Sequence, residues 1–571
     1  QKKVLIENAL HSNKSGLFDK FRNRFLRFLN RLFPYQKIIV ASYFVLAILL
    51  AGFLLASIGR DVLPKVNGRQ FQVRLRGAQG TRLERTEESM LKTLQILEEL
   101  TGKKNIAVTS AFIGMHPAQF STSPIYLFMS GTQEAVLQVN LSEEYKVNLD
   151  DLKERFRNKM REELPGLTLS FEPIELTDKI LSQGSPTPVE VRIAGKNKTL
   201  NEEYADKVLK KLRQVSYLRD VQLGQPTKYP AININIDRLR AAELGVGVSD
   251  ISRSLIASTS SSRYTEKNVW LDQKAGLTYS VQVEIPEYKM ASVNDIGEIP
   301  VMNNSSRPVL SDVAHITPDT TYGENDLIGA LPMLSVTANV NRKDLGTATK
   351  DVETAIKSLG ELPRGLTIET KGLSEVLNET LASLQTGLLV AIVVIFLMLA
   401  ANFQSFRVSL VVLSTVPAVI AGSLLLLMLT GSTLNLQSYM GMIMSVGVSI
   451  SNSVLLITNA EQLRMHNGDA IESAREAAAL RLRPILMTTV AMVVGMIPMA
   501  SGFGEGADQA SPLGRAVIGG LIVSTIVAVI ILPLVFSWVQ GKTSTQSVSL
   551  DPEDKESIHY IPSLYEPHSQ A

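Results

Sequence analysis

Residues 408–460 read VSLVVLSTVPAVIAGSLLLLMLTGSTLNLQSYMGMIMSVGVSISNSVLLITNA, without one charged side chain. A membrane-crossing helix uses roughly 20 apolar residues, so this run is too long for one crossing. It breaks at the polar Thr430-Gly431-Ser432-Thr433, giving spans at 408–429 and 436–460. Working outward, the uncharged stretch Thr380–Phe406 supplies a span at 380–404, and further spans follow at 484–504 and 516–539. A sixth, at 38–58, lies far upstream between Lys37 and Arg60. Runs this long and uncharged exceed what a soluble core uses. The fold class expected is a membrane α-helical bundle of six spans, with a soluble α+β block at 60–379 between the first and second.

Orientation follows from positive charge in the short connections. Lys20, Arg22, Arg24, Arg27, Arg31 and Lys37 precede the first span, Arg407 sits in the turn after the second, and Arg464, Arg475, Arg481 and Arg483 fill the connection between the fourth and fifth. Threading six helices puts all of these on one side, which marks that side as cytoplasm. The outward loops Thr430–Thr433 and Glu505–Leu513 carry no Lys or Arg, and residues 60–379 fall outside the cell membrane. In the cytoplasmic linker 1–37, Phe18–Phe33 spaces apolar side chains helically between arginines. This fits an amphipathic helix in the membrane interface or an ordinary surface helix. Asp469–Arg483 reads as a second cytoplasmic helix, and 541–571 as a disordered cytoplasmic tail.

The chain has 571 residues, 45% hydrophobic and 20% charged, with a formal net charge of +2. That balance gives no basic face for nucleic acid. The absence of cysteine excludes disulfides, thiol catalysis and Cys-type metal sites. No nucleophile–base pair, phosphate loop or metal motif stands out, so the chain reads as a non-enzyme without cofactor. It opens on Gln1, with no cleavable signal peptide visible, which points to a fragment or to internal numbering.

The soluble block alternates periods of two and 3.6. Strand patterns at Phe71–Leu75, Ile106–Phe112, Leu127–Leu141 and Leu167–Phe171 flank helical stretches at Thr81–Leu100 and Asp150–Leu164. A second round runs through Pro188–Ile193, Leu200–Val215 and Val221–Leu223, then Leu334–Val340, Ala348–Leu359 and Leu366–Glu369. Two ferredoxin-like subdomains are expected, at 60–172 and at 173–225 with 317–375. A separate insert at 226–316 opens with the alternating Ile232–Ile236.

Several motifs are specific. Leu482-Arg483-Pro484-Ile485-Leu486-Met487-Thr488-Thr489 with Gly495-Met496-Ile497-Pro498, and Leu513-Gly514-Arg515-Ala516-Val517-Ile518-Gly519-Gly520, open the last two spans. Ala401–Phe406 forms the turn between two central spans, and Ile236–Val246 a strand and helix in the insert. Together they resemble the C-terminal half of resistance–nodulation–division (RND) efflux permeases of the multidrug type. The resemblance implies an inner-membrane protein whose two periplasmic porter subdomains carry a docking insert. It also implies partners: the N-terminal half of the permease, membrane lipid, further copies in a homotrimer, a periplasmic adaptor and an outer-membrane channel. The activity implied is export of hydrophobic or amphiphilic compounds by proton antiport. Heavy-metal efflux, or a non-transporting docking scaffold, stand as alternatives.

A proton-driven transporter needs an ionisable group inside the bilayer, and the six spans contain no Asp, Glu, Lys or His. The carrier acids are therefore expected on the N-terminal half, where the resemblance also puts them. On the half in hand, the resemblance maps a relay threonine to Thr488 and an arginine to Arg481. It maps a lysine position to Ser451, where the missing ammonium leaves a carboxylate pair without its counter-ion. Asn452 is the neighbouring substitute. Small-residue packing for Ser449, Ser451 and Ser453, and interfacial anchoring for Arg481 and Arg483, account for the same residues without transport. Phe112, Met115 and Phe120 lie in the stretch matching the family's substrate loop, where core packing is the alternative. Met115, His116 and Met129 are soft-metal donors in a spacing that matches no known ligand set.

Overall fold

The computed structural model describes residues 17–64, 68–114, 129–174, 176–182, 184–301, 307–503, 507–541 and 543. The expected tail beyond Gly541 lies almost wholly outside these. Helix α1 (Leu17–Leu32) runs through a short 3-10 turn at Phe33–Tyr35 into α2 (Gln36–Ser57), the first membrane-length helix.

The first soluble unit contains β1 (Gln70–Arg76), α3 (Leu83–Thr101), β2 (Ile106–Ile113), β3 (Glu134–Leu141), α4 (Leu149–Glu163) and β4 (Thr168–Glu172). Its strands form an antiparallel sheet in the order β2-β3-β1-β4. One face buries Phe71, Val73, Leu75, Leu137 and Val139 together with Leu97, Leu152 and Phe156 of the two helices. The other face carries Gln72, Arg74 and Arg76. Asn148 caps α4 by accepting from the Asp150 and Asp151 amides, as expected of an Asn at that position.

A short helix α5 (Leu176–Leu181) leads to β5 (Val189–Gly195), α6 (Lys198–Leu212) and β6 (Leu218–Leu223). The chain then makes β7 (Tyr229–Ile236), α7 (Arg238–Glu243), α8 (Val248–Thr259), the hairpin β8 (Asn268–Asp272) and β9 (Leu277–Val281), α9 (Val293–Gly297), α10 (Leu310–Val313) and β10 (Ala314–Thr321). Strand β10 pairs with β7 as far as Thr321, opposite Tyr229, so the insert's ladder continues beyond residue 316. The second sheet is completed by β11 (Asp326–Ile328), β12 (Leu331–Val340), α11 (Leu345–Lys357) and β13 (Leu366–Lys371). Its order is β11-β12-β5-β13, with β6 also on β12. The core strands thus repeat the path of the first sheet, although the insert separates β6 from β12.

Gly372, at φ +83°, turns the chain from β13 directly into α12 (Leu373–Phe403). A side chain there would also strike the Pro188 carbonyl at 2.9 Å, so glycine is required twice over. The third crossing is two pieces, α13 (Phe406–Leu413) and α14 (Val416–Leu429), not the single helix its apolar run suggested. Pro417 cannot donate and crowds the preceding turn, while the Ser414 and Thr415 hydroxyls donate to the Val411 and Val412 carbonyls. Next come α15 (Leu436–Asn467), α16 (Ala470–Ser501) and α17 (Ala507–Gln540). The separate cytoplasmic helix expected at 469–483 is instead the first part of α16, continuous through Pro484. Likewise α17 begins inside the expected outward loop 505–513. All six membrane-length helices are present.

Bundle packing is uneven. In the most apolar windows of the third crossing and of α17, 67% of residues are buried, against 11% in α16 and 6% in α12. Glycines set the close crossings. A Cβ at Gly519 would sit 2.4 Å from the Gly422 carbonyl oxygen, and one at Gly441 2.7 Å from that of Leu513. Small residues let membrane helices touch backbone to backbone, where packing rather than hydrophobic transfer holds them.

Candidate functional site

Two constellations carry chemistry: a polar edge on the bundle and a charged cleft between the sheets. On the bundle edge, Thr488 Oγ1 donates to Asn452 Oδ1 at 3.5 Å and to the Ile485 carbonyl at 3.0 Å. About two turns away, toward the start of α16, Arg481 Nη2 donates to Asn459 Oδ1 at 3.3 Å. Thr488 and Ser451 are exposed and Asn452 half-buried, so α15 and α16 together turn a strip of hydroxyls and amides outward. The residues expected in a relay therefore fall on one surface, with Asn459 as an added member. Thr489, beside Thr488, turns the other way and shares a 2.7 Å hydroxyl–hydroxyl bond with Thr525 of α17. Ser453 donates to the Ser449 carbonyl, the local bonding that fits the packing reading.

The cleft lies where the helix-free faces of the two sheets meet, and encloses about 480 Å³. From the first sheet, Arg74 is paired with both Glu172 and Glu134, at 3.1 Å for the latter, and Arg76 Nε with Glu134 at 2.7 Å. Arg76 also crosses to the second unit, donating to the Leu223 and Gly224 carbonyls at 2.8 and 2.9 Å. From the second, Glu190 pairs with Arg192 at 2.9 Å, and Gln225 donates to Asp326 and to Ser335 Oγ. Glu324 and Lys179 complete the lining.

Burial acts to raise Glu134, but Arg76, Arg74 and the Ser130 donors outweigh it and hold its carboxyl below the usual range. Glu324 goes the other way: burial first, then Asp326 and Glu134, push it up to about 7 against the pull of Arg76 and Arg74. The cleft can thus exchange a proton near neutrality.

The cleft residues were not legible in the sequence. Gln72-Val73-Arg74-Leu75-Arg76 alternates as a strand with one solvated face does, yet the structure buries or half-buries both faces. Of the expected substrate residues, Phe112 packs beside Met129 and Val136, while Met115 and Phe120, like the soft-metal candidate His116, lie outside the described residues. Among the described residues, no group of three or more His, Asp or Glu is arranged to hold a metal ion.

The family model described as AcrB/AcrD/AcrF matches residues 3–540. The cation efflux system protein CzcA of Alcaligenes sp. (strain CT14) is 26% identical over 524 residues, covering 90% of this chain and 48% of that protein. The swarming motility protein SwrC of Bacillus subtilis (strain 168) is 29% identical, covering 56% of this chain and 30% of its own. A crystal structure of a heavy metal efflux pump superposes with a TM-score of 0.79 at 22% identity, covering 92% of this chain and 52% of that one, a likeness of fold. The chain spans about half the length, or less, of these relatives. With the family model covering nearly all of it, the chain belongs to the AcrB/AcrD/AcrF family of RND permeases.

Proposed function

We propose that the chain is the C-terminal half of an RND permease that exports amphiphilic solutes from the inner membrane and periplasm. Its coupling is proton antiport, with the carrier acids supplied by the N-terminal half. The observation that carries this reading is the polar strip of Asn452–Thr488, exposed at Thr488, continued by the half-buried Arg481–Asn459 pair. Polar groups on a membrane helix seek a partner, and a second helical half with ionisable groups supplies one. The two sheet units act as ferredoxin-like porter subdomains in the periplasm, and β7–β10 as the docking insert toward an adaptor and channel in a trimeric pump. The charged cleft between the units receives the polar head of the solute. Its carboxylate–guanidinium pairs re-form when the solute leaves.

A second reading, metal-cation export, is favoured by the name of the CzcA relative and by the five carboxylates lining the cleft. The two separate in one experiment. Cells expressing a full-length permease containing this half are challenged with a cationic dye and with zinc, cobalt and cadmium salts, with and without uncoupler. The amphiphile reading expects dye export that stops with uncoupler, and unchanged metal tolerance. Metal tolerance without dye export would transfer the assignment to cations. Export that ignores uncoupler would overturn proton coupling.

A further inference from the structure

Helix α1 presents three faces. Leu29 is fully buried in the cluster that holds Ala474, Ala477 and Leu482 of α16, and the Arg483 guanidinium stands 5.8 Å from the Phe18 ring centroid. These contacts fix α1 beside the point where α16 enters its apolar run. Away from them, Lys20, Arg24, Arg27 and Arg31 follow at i, i+4, i+7 and i+11, which puts all four within about 60° around the helix axis. All four are exposed. Between this stripe and the packed face stand Phe21 and Phe28, 52% and 48% exposed. The helix holds a single acid, Asp19, and its ion pair is with Arg22, outside the stripe.

We propose that this stripe binds the head groups of acidic phospholipids, with Phe21 and Phe28 seated in the acyl boundary beside them. The inference rests on reading α1 as lying at the membrane surface. The charge is complementary to a phosphodiester. The exposed aromatics also continue onto Ile38, Val45, Leu49 and Phe53 of α2, which are 59–70% exposed on a membrane-length helix. An acidic protein would match the cations but leave the phenylalanines in water. A bilayer surface satisfies both. Each cation near an anionic surface contributes roughly a fivefold preference, so even partial engagement of four gives a selectivity that can be measured.

The test reconstitutes the whole chain in phosphatidylcholine bilayers and compares spin-labelled phosphatidylglycerol with spin-labelled phosphatidylcholine, reading the motionally restricted fraction of each. The expected result is preferential association of phosphatidylglycerol, at least about fivefold, falling as salt is raised. The variant K20Q/R24Q/R27Q/R31Q is expected to approach parity, and the charge-conserving K20R/R24K/R27K/R31K to keep the preference. Parity in the unmodified chain, or an unchanged preference in the glutamine variant, would overturn the proposal; a surface reserved for an acidic protein gives the first of these. Should the glutamine variant fail to insert, the salt series on the unmodified chain decides, a salt-independent preference counting against the stripe. Restricted lipid of neither kind would instead sink the reading of the chain as membrane-spanning.

Discussion

Two interfaces in this molecule are built on opposite principles. Where α14 crosses α17, Gly422 and Gly519 bring backbone against backbone, with no room for a methyl group. Where the two sheets face each other, arginines and carboxylates stand in a cleft of about 480 Å³, joined by side chains such as Arg76 rather than by packed core. A dry, glycine-closed crossing has one good geometry and resists displacement. A charged cleft holds pairs that can exchange partners with water or with a solute, because each ion pair trades desolvation against attraction at similar magnitude. The glycine-closed crossing is therefore the stiffer interface of the two, and the cleft the more adaptable one. The second sheet is joined to the bundle by backbone, from α12 across Gly372 into β13. The first sheet meets it through cleft side chains and through the Arg157–Asp220 ion pair at 2.8 Å.

The largest effect is expected from putting a side chain into the glycine-closed crossing, against an open glycine of a neighbouring helix as control. Gly519→Leu is expected to remove folded protein altogether, at a cost above about 3 kcal/mol for overpacking against a backbone carbonyl. Gly495→Leu, where a Cβ meets nothing within 4 Å, should stay within about 0.5 kcal/mol. Thermal melts of both by size-exclusion fluorescence check this, and equal losses would contradict the rigid-crossing account.

Next in size is Arg76→Ala, which strips the buried Glu134 of one partner and cuts the link to Leu223 and Gly224. The expected loss is about 2–3 kcal/mol. Hydrogen exchange should rise at 218–224 while the bundle helices stay protected.

Glu324 gives a pH signature. Its carboxyl rises from the ordinary 4.5 to about 7 in the folded chain, so the unfolded chain releases its proton first. The stability it allows is fully present below pH 4.5 and is lost as pH rises through about 7. After discounting for partial exposure, the change is about 1–2 kcal/mol. Glu324→Gln should flatten that part of the stability curve, and a curve unchanged by the substitution would contradict the assignment.

The smallest effects separate neighbouring threonines. Thr489→Val breaks the buried bond to Thr525 and should cost about 1 kcal/mol. Thr488→Val, on the exposed strip, should leave melting within about 0.5 kcal/mol. In a full-length permease it should nevertheless lower uncoupler-sensitive export.

The membrane helices were legible because an uncharged run longer than a bilayer is thick has few other uses. Their ends were less so. Pro484 looked like a helix start, yet α16 passes through it, since one lost amide bond is tolerated where neighbouring groups re-satisfy the backbone. Pro417, by contrast, does break its crossing. Alternation located most of the sheet strands, whereas the exposed hairpin Asn268–Val281 lacks a buried face and so left no period to read. In the candidate site, Thr488 could be named through the family resemblance and Asn452 as the polar neighbour of the mapped Ser451, both within apolar spans. The cleft could not. Arg74 meets Glu134 and Glu172 across 60 and 98 residues of chain, and nothing local announces such a pairing.

On the proposed reading, the apolar spans, without an Asp, Glu, Lys or His, do not harvest a proton gradient alone. The direct measurement reconstitutes this chain by itself in liposomes carrying an imposed pH gradient, and follows internal pH together with uptake of a cationic dye. The expected result is no gradient-driven dye movement and no proton flux above that of empty liposomes. Pumping that collapses with uncoupler would contradict it.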